Sequence, residues 1–325
     1  MSCKGGYYMK KIYVGPKQSN IEYSDFFDES ITLFGNNTIT NHSYESFLTF
    51  EYWNPDNKLK EITIYNRALS NIKDTAEIMA HNPLLVSKCN LPDNLSLVCL
   101  NDLSLLEILD DKINTHNLMK NIVPMIDYTI IKGKEFDYNK LSKSSEEIII
   151  QHPKGSGGSK TFFCNNENHE IIKSLLLPED YYSISKYYRN NIPYNIHCLI
   201  GKKQIEILPP SIQELEIIDK IEYIGSDYNI DIPLDVRTKL VNYSSNICKK
   251  LQELGYLGVV GIDYIYTDNE LFFIEINPRF QGSTKQIDKL LKESNLPSIF
   301  EYNYNCFYSD NLISTKNMKL SLFNN

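Results

Sequence analysis

Apolar and polar residues along this chain switch between a period near two and a period near 3.6, and the switches outline its elements. Residues 11–15 (Lys-Ile-Tyr-Val-Gly), 31–35, 62–65 and 95–100 are short apolar runs that read as strands. Residues 70–81 place Ile72, Ala76 and Met79 at helical spacing behind Ser70, which predicts a capped helix. Strands alternating with a helix predict a small α/β domain over residues 9–105. Residues 103–121 are helical in pattern. Strands follow at 147–151 and 161–164, then a helix at 168–176 and a strand at 182–188. Residues 195–200 and 204–208 predict a hairpin, and residues 234–254 a long amphipathic helix closed by Gly255. Two further apolar runs, 258–266 and 271–279, flank the polar turn Thr267-Asp268-Asn269-Glu270 and predict a second hairpin. The last predicted helix spans residues 284–293. Residues 1–8 read as a leader before Met9.

Composition narrows the class. With 325 residues, the chain can bury one large core or two to three small ones, and 42% hydrophobic content is that of a globular protein. A net charge of −8 and a pI near 5.4 argue against nucleic-acid binding as the main task, because phosphate neutralisation needs a basic surface. No run of eighteen apolar residues predicts a membrane span, and no apolar signal core predicts secretion. Seven scattered cysteines without a Cys-x-x-Cys pair fit reduced thiols, so a cytoplasmic location is expected. The turn after the first strand lacks Gly-x-Gly-x-x-Gly, so no dinucleotide site is expected there.

The second hairpin carries the chemistry. Side chains alternate along a strand, so Glu275, Asn277 and Arg279 point one way. If Asp263 pairs opposite Glu275, one face holds two carboxylates, an amide oxygen and a guanidinium, a hard-oxygen set suited to Mg²⁺ with a fixed cation for phosphate. Surface acids are the ordinary alternative. These acids, however, sit within very apolar strands, where an unpaired carboxylate is costly. Earlier in the chain, Lys154-Gly155-Ser156-Gly157-Gly158-Ser159 joins two strands. Its glycines let backbone N–H groups approach an anion, although alone it reads equally as a flexible hairpin tip.

Asp263, a spacing of twelve, then Glu-x-Asn-x-Arg resembles the metal and phosphate end of the ATP-grasp superfamily, and the glycine loop matches that family's lid. The resemblance covers residues 105–300. It implies α/β and α+β architecture: an ATP-grasp fold preceded by a Rossmann-like pre-ATP-grasp domain. The domains expected are 1–105 and 106–325, the latter divided into a lid at 125–185 and a metal-binding part at 186–325. Asp263, Glu275 and Asn277 would hold Mg²⁺, or Mn²⁺ in its place, and Arg279 and Gln281 would act on the transferring phosphoryl and the acyl substrate.

The nucleotide would meet Lys112, Gln151, Lys154, Gly155, Ser156, Gly157 and Gly158 at its phosphates. Lys186, Tyr187 and Tyr188 would lie at its adenine. A lysine is usual where Gln151 or His152 stands; Gln151 is preferred, with Lys154 supplying charge. Lys112 outside this pattern is a solvated helix lysine, and Tyr187 and Tyr188 are equally packing residues. Asn195 and His197 share a face toward the ribose or acceptor, with His197 ranked as structural. Ser283 and Thr284 are candidates for the acyl substrate, and Thr284 equally for a helix cap. Gly282 and Ser283 stand where biotin carboxylases carry an acid, which favours a carboxylic acid larger than bicarbonate.

The implied activity is ATP-dependent ligation of a small carboxylic acid to an amine through an acyl-phosphate. A kinase or an ATP sensor without turnover are the alternatives. The expected partners are small molecules, with no nucleic acid and no membrane, and a homodimer is the assembly the resemblance allows.

Overall fold

The computed structural model describes residues 9–16, 25–34, 47–52, 58–142, 147–155, 160–217, 221–316 and 318. The leader expected at residues 1–8 lies outside them. Among them are three sheets. β1 (Lys10–Pro16), β2 (Glu29–Phe34), β3 (Phe47–Tyr52), β4 (Ala76–Ala80) and β5 (Leu95–Val98) pair in parallel in the order β3-β2-β1-β4-β5. This is a Rossmann-type order that reverses between β1 and β4.

Two expectations fail in this sheet. Residues 62–65 are not a strand but part of α1 (Lys58–Leu69), which buries Ile64, Tyr65, Ala68 and Leu69. Those four positions repeat at helical spacing, which a four-residue window over β-branched residues hides. Conversely, residues 70–81 are not a helix. The chain turns and enters β4, an inner strand between β1 and β5. A strand covered on both faces reads as a continuous apolar run, which periodicity cannot tell from a helix.

After α2 (Pro83–Val86), the single helix expected at 103–121 is two, α3 (Leu103–Leu109) and α4 (Lys112–Met119). The break falls at Asp110-Asp111, because Asp111 caps α4 by accepting from the Asn114 N–H. The second sheet is antiparallel. Its strands are β6 (Tyr128–Lys132), β7 (Ile148–Gln151), β8 (Thr161–Cys164) and β9 (Tyr181–Lys186), in the order β6-β9-β7-β8. α5 (Tyr138–Leu141) and α6 (His169–Leu175) enclose a core of their own with Ile148, Ile150, Tyr182 and Ile184.

β10 (Ile192–Ile200), β11 (Ile205–Ile217), β12 (Ile221–Asp227), β13 (Gly258–Thr267) and β14 (Glu270–Asn277) form the third sheet, in the order β12-β11-β10-β13-β14. α7 (Leu234–Glu253) lays Val236, Leu240, Ile247 and Leu251 on one face, against Ile196, Cys198, Val260 and Ile262. Gly255 follows at φ +86°, a left-handed residue that ends the helix. α8 (Thr284–Glu293) matches its predicted span but is not the last helix. α9 (Ile299–Tyr308) follows, and its Phe300 and Tyr302 join a core shared with Tyr13 and Phe27 of the first unit. The other face of the third sheet is covered in part by α8 and α9, which pack on Leu199, Leu208 and Val259, and carries polar side chains at Asn195, Asp263 and Asn277.

Candidate active site

The turn Asp268-Asn269 has φ values of 52° and 63°, a left-handed pair that Asp and Asn accept and that matches the twist of a two-residue hairpin. The turn fixes the register. Asp263 pairs with Glu275, Asn195 with Asp263, and Asn195 with Ser211, so β11, β10, β13 and β14 contribute one polar row. The ladder shifts just past Asp263, where Tyr264 pairs with Phe273 and Ile274 is left over. This bulge lets Leu271 and Phe273 face the core with Ile276, while Glu275 and Asn277 face the site.

The carboxylates are held by neutral donors and by one lysine. Asp263 Oδ1 accepts from Asn195 Nδ2 at 2.5 Å and Gln213 Nε2 at 3.2 Å, and Oδ2 accepts from Asn277 Nδ2 at 3.0 Å. Burial, then the charge of Glu275, pushes Asp263 up to about 8. Burial also raises Glu275, but the charge and hydrogen bond of Lys112, with Arg279 behind them, outweigh it and hold Glu275 below its ordinary value. Asn277 Nδ2 also donates to Glu275 Oε1 at 3.2 Å, and its Oδ1 accepts from Arg279 Nη2 at 2.8 Å. Arginine only donates, so the oxygen must face Arg279 and the amide nitrogen the acids. The expected amide oxygen therefore faces Arg279 and not the carboxylates.

This donor set fits Mg²⁺. Among the described residues no cluster of three or more His, Cys, Asp or Glu could hold a metal. Mg²⁺ bound through two carboxylates and substrate phosphates does not need one, and Asp263 and Glu275 stand opposite each other as such a pair.

Lys112 is buried, not solvated. Its Nζ donates to the Gly155 carbonyl at 2.8 Å and lies 3.1 Å from Glu275 Oε2. A cation on the first turn of a helix opposes the dipole, so these two partners explain its place. His116, one turn on, has Nε2 at 2.6 Å from the Ile274 carbonyl and seats α4 on the bulge. The helix spacing of Lys112 and His116 was the one sequence signal for this role. Ser156, Gly157 and Gly158 lie outside the described residues. Lys154 is exposed, and its N–H donates to His152 Nδ1 at 3.0 Å.

Gln151 shares a strand face with Ile149. His152 turns toward the second core, with Nε2 at 3.3 Å from Asp180 and its ring edge-on to Tyr182. A cavity of about 320 Å³ is lined by Glu147, Lys186, Tyr187, Tyr188, Arg189, Asn190, Thr267 and Asp268. There Lys186 Nζ lies 5.3 Å over the Tyr188 ring, Tyr187 N donates to the Glu147 carbonyl at 2.9 Å, and Arg189 grips Glu147 through two nitrogens. Sequence reading did not foresee Glu147, Arg189 or Gln213, because each depends on strand pairing between distant segments.

A family model for the ATP-grasp domain matches residues 109–283. The chain belongs to the ATP-grasp family. Its fold is the ATP-grasp fold, and three solved structures share it. One is N5-carboxyaminoimidazole synthetase from Staphylococcus aureus complexed with ADP, with TM-score 0.61, 14% identity, and coverage of 94% of this chain and 79% of that one. The second is L-amino acid ligase from Bacillus licheniformis, with TM-score 0.60, 11% identity, and coverage of 91% and 74%. The third is the biotin carboxylase domain of the Hydrogenobacter thermophilus 2-oxoglutarate carboxylase with MgADP and bicarbonate, with TM-score 0.65, 14% identity, and coverage of 96% and 73%. No curated protein matches the sequence. Among the described residues no helix of this ATP-grasp protein is long and apolar enough to cross a membrane.

Past Arg279 the ATP-grasp chain doubles back over the polar row. Gln281 Oε1 accepts from Asn195 Nδ2 at 3.1 Å, and Ser283 Oγ donates to Asn195 Oδ1 at 3.3 Å. Gly261 makes room for this, since a Cβ there would lie 1.8 Å from Gln281 Oε1. Thr284 is not the helix cap. It is the first residue of α8, and its hydroxyl accepts from the Gln281 N–H at 2.8 Å and meets His197 Nε2 at 3.4 Å. His197 is fully buried, and burial lowers it to about 4.

Proposed function

We propose that this ATP-grasp protein is an ATP-dependent ligase that activates a carboxylic acid as an acyl-phosphate and joins it to an amine. The carrying observation is the convergence of Lys112, Asp263, Glu275, Asn277 and Arg279 with the carbonyl of Gly155, from three separate stretches of the chain. The similar structures, a synthetase, an amino acid ligase and a carboxylase domain, support the same class.

In such a reaction a carboxylate oxygen attacks the terminal phosphoryl of ATP and ADP leaves. The amine then attacks the acyl carbon, loses a proton and expels phosphate. Asp263, Glu275 and Asn277 would hold magnesium, which would supply charge neutralisation at the phosphates. Lys112 adds a fixed charge where the loop meets the carboxylates. Arg279, once free of Asn277, binds the transferring phosphoryl and the acyl-phosphate oxygen. We assign Gln151, Lys154, Gly155, Ser156, Gly157 and Gly158 to the phosphates and to the exclusion of water. Lys186, Tyr187 and Tyr188 hold the adenine in the cavity they line, and Gln281 orients the acyl group. The three sheets support a division into an N-terminal domain at 1–105, a lid at 125–185 and a metal-binding part at 186–325.

ADP release tests the reading. With pooled carboxylic acids and amines it is expected to need Mg²⁺ and both substrates. Glu275→Ala and Asn277→Ala are expected to abolish it. Turnover with one acceptor alone makes the protein a kinase. MgATP that leaves the calorimetric signal and melting point unchanged removes the nucleotide site altogether.

A further inference from the structure

Beyond Asp263 the polar row continues into a buried network that the phosphoryl chemistry does not use. Asn195 and Gln213 donate to Asp263, and Ser283 donates to Asn195. The Tyr223 and Tyr228 hydroxyls both lie beside Ser283, and Tyr228 also beside Ser211. Ser211 is fully buried and Tyr228 is 9% exposed, yet neither hydroxyl makes a hydrogen bond of acceptable geometry. Buried polar atoms without partners are rare and mark a missing water, ion or ligand. Tyr223 is half-buried at the rim, with its hydroxyl 2.9 Å from Ser226 Oγ. Its ring passes over Gly282, where a Cβ would lie 2.6 Å from Cε1. Gly282 therefore gives Tyr223 its place, directly after Arg279-Phe280-Gln281.

We propose that this network is the side-chain subsite for the acid substrate, and that it takes an acid whose second functional group is uncharged and hydrogen-bonding, a hydroxyl or a carboxamide. The proposal rests on the ligase reading above. An apolar group leaves Ser211 and Tyr228 unsatisfied. An anionic group meets the exposed carboxylate of Glu214, a charge felt at the Tyr223 hydroxyl, and forfeits its own hydration. For an ammonium, Asp263 is committed to the metal, and the exposed Glu214 offers a partner only at the rim.

The experiment is ADP release by the full-length protein with Mg²⁺, ATP and pooled amines. The acids compared are glutamine, methionine, glutamate and lysine, with serine and threonine as hydroxyl probes. A carboxamide or hydroxyl acid is expected to lead every charged or apolar one by at least tenfold. Tyr223→Phe and Ser211→Ala are each expected to reduce that ratio severalfold. A panel led by a charged or apolar acid, or variants that keep the wild-type ratio, overturns the subsite. MgATP binding, read by calorimetry, separates the two readings: absent binding sinks the ligase reading, and bound MgATP with no ADP from any acid overturns both.

Discussion

The ammonium of Lys112 lies 3.1 Å from the carboxylate of Glu275 while donating to the Gly155 carbonyl, so one side chain ties the glycine loop to the hairpin of β13 and β14. Lys112→Met leaves the partly buried carboxylate of Glu275 without its nearest cation. ADP formation is expected to fall about a hundredfold, and thermal unfolding to show a loss of about 1–3 kcal/mol, at the low end because both groups keep some exposure. Lys112→Arg retains the charge and is expected to recover part of the rate. A variant with wild-type kinetics would remove Lys112 from the site.

Asp263 carries a cost that a cation relieves. Its carboxyl is pushed up to about 8 by burial and by Glu275, so its ionised form destabilises the metal-free fold. Asp263→Asn is expected to melt higher than wild type without nucleotide above pH 8, and to lose the stabilisation that MgATP gives the wild-type protein. Melting curves with and without MgATP check both halves; a variant still stabilised by MgATP would contradict the assignment.

Asp288 gives the pH dependence of stability. It is fully buried on α8, its Oδ1 accepts from the Ile299 N–H at 2.8 Å, and burial pushes it up to about 7 from 3.8. Between those values the folded protein holds a proton that the unfolded chain has lost, so stability falls as pH rises from about 4 to about 7 and then levels. Asp288→Asn keeps the acceptor for Ile299 and removes that slope, a gain of the order of 2–4 kcal/mol above pH 7. Denaturant titrations at pH 5 and pH 8 read it; an unchanged slope would show that Asp288 titrates near its ordinary value.

Gly261 matters for space. A methyl there would overlap Gln281 Oε1 and push that side chain off Asn195. Gly261→Ala is expected to cost about 1–3 kcal/mol by overpacking and to slow ADP formation at least tenfold. Gln281→Ala in the same background should restore the stability but not the rate.

Local chemistry made the hairpin of β13 and β14 legible. Asp268-Asn269 is a turn that sets register, and that register alone brings Asp263 opposite Glu275. α7 was equally readable, because its apolar stripe and Gly255 are both local signals. The bulge at Ile274 left only a trace, the core spacing Leu271, Phe273, Ile276, which a strict alternation overlooks. The first unit was misread at residues 62–65 and 70–81, where short apolar runs suit either period and burial on both faces of the sheet decided the outcome.

The sequence by itself determined which residues are candidates for the chemistry, because charge, turn preference and strand alternation act over a few residues at a time. Only the tertiary structure decided whom they meet. Lys112 reaches Glu275 across 163 positions of chain, and Asn277 turns its oxygen to Arg279 because its nitrogen has two carboxylates to serve. Such pairings depend on which distant strands lie side by side, and no local pattern encodes that.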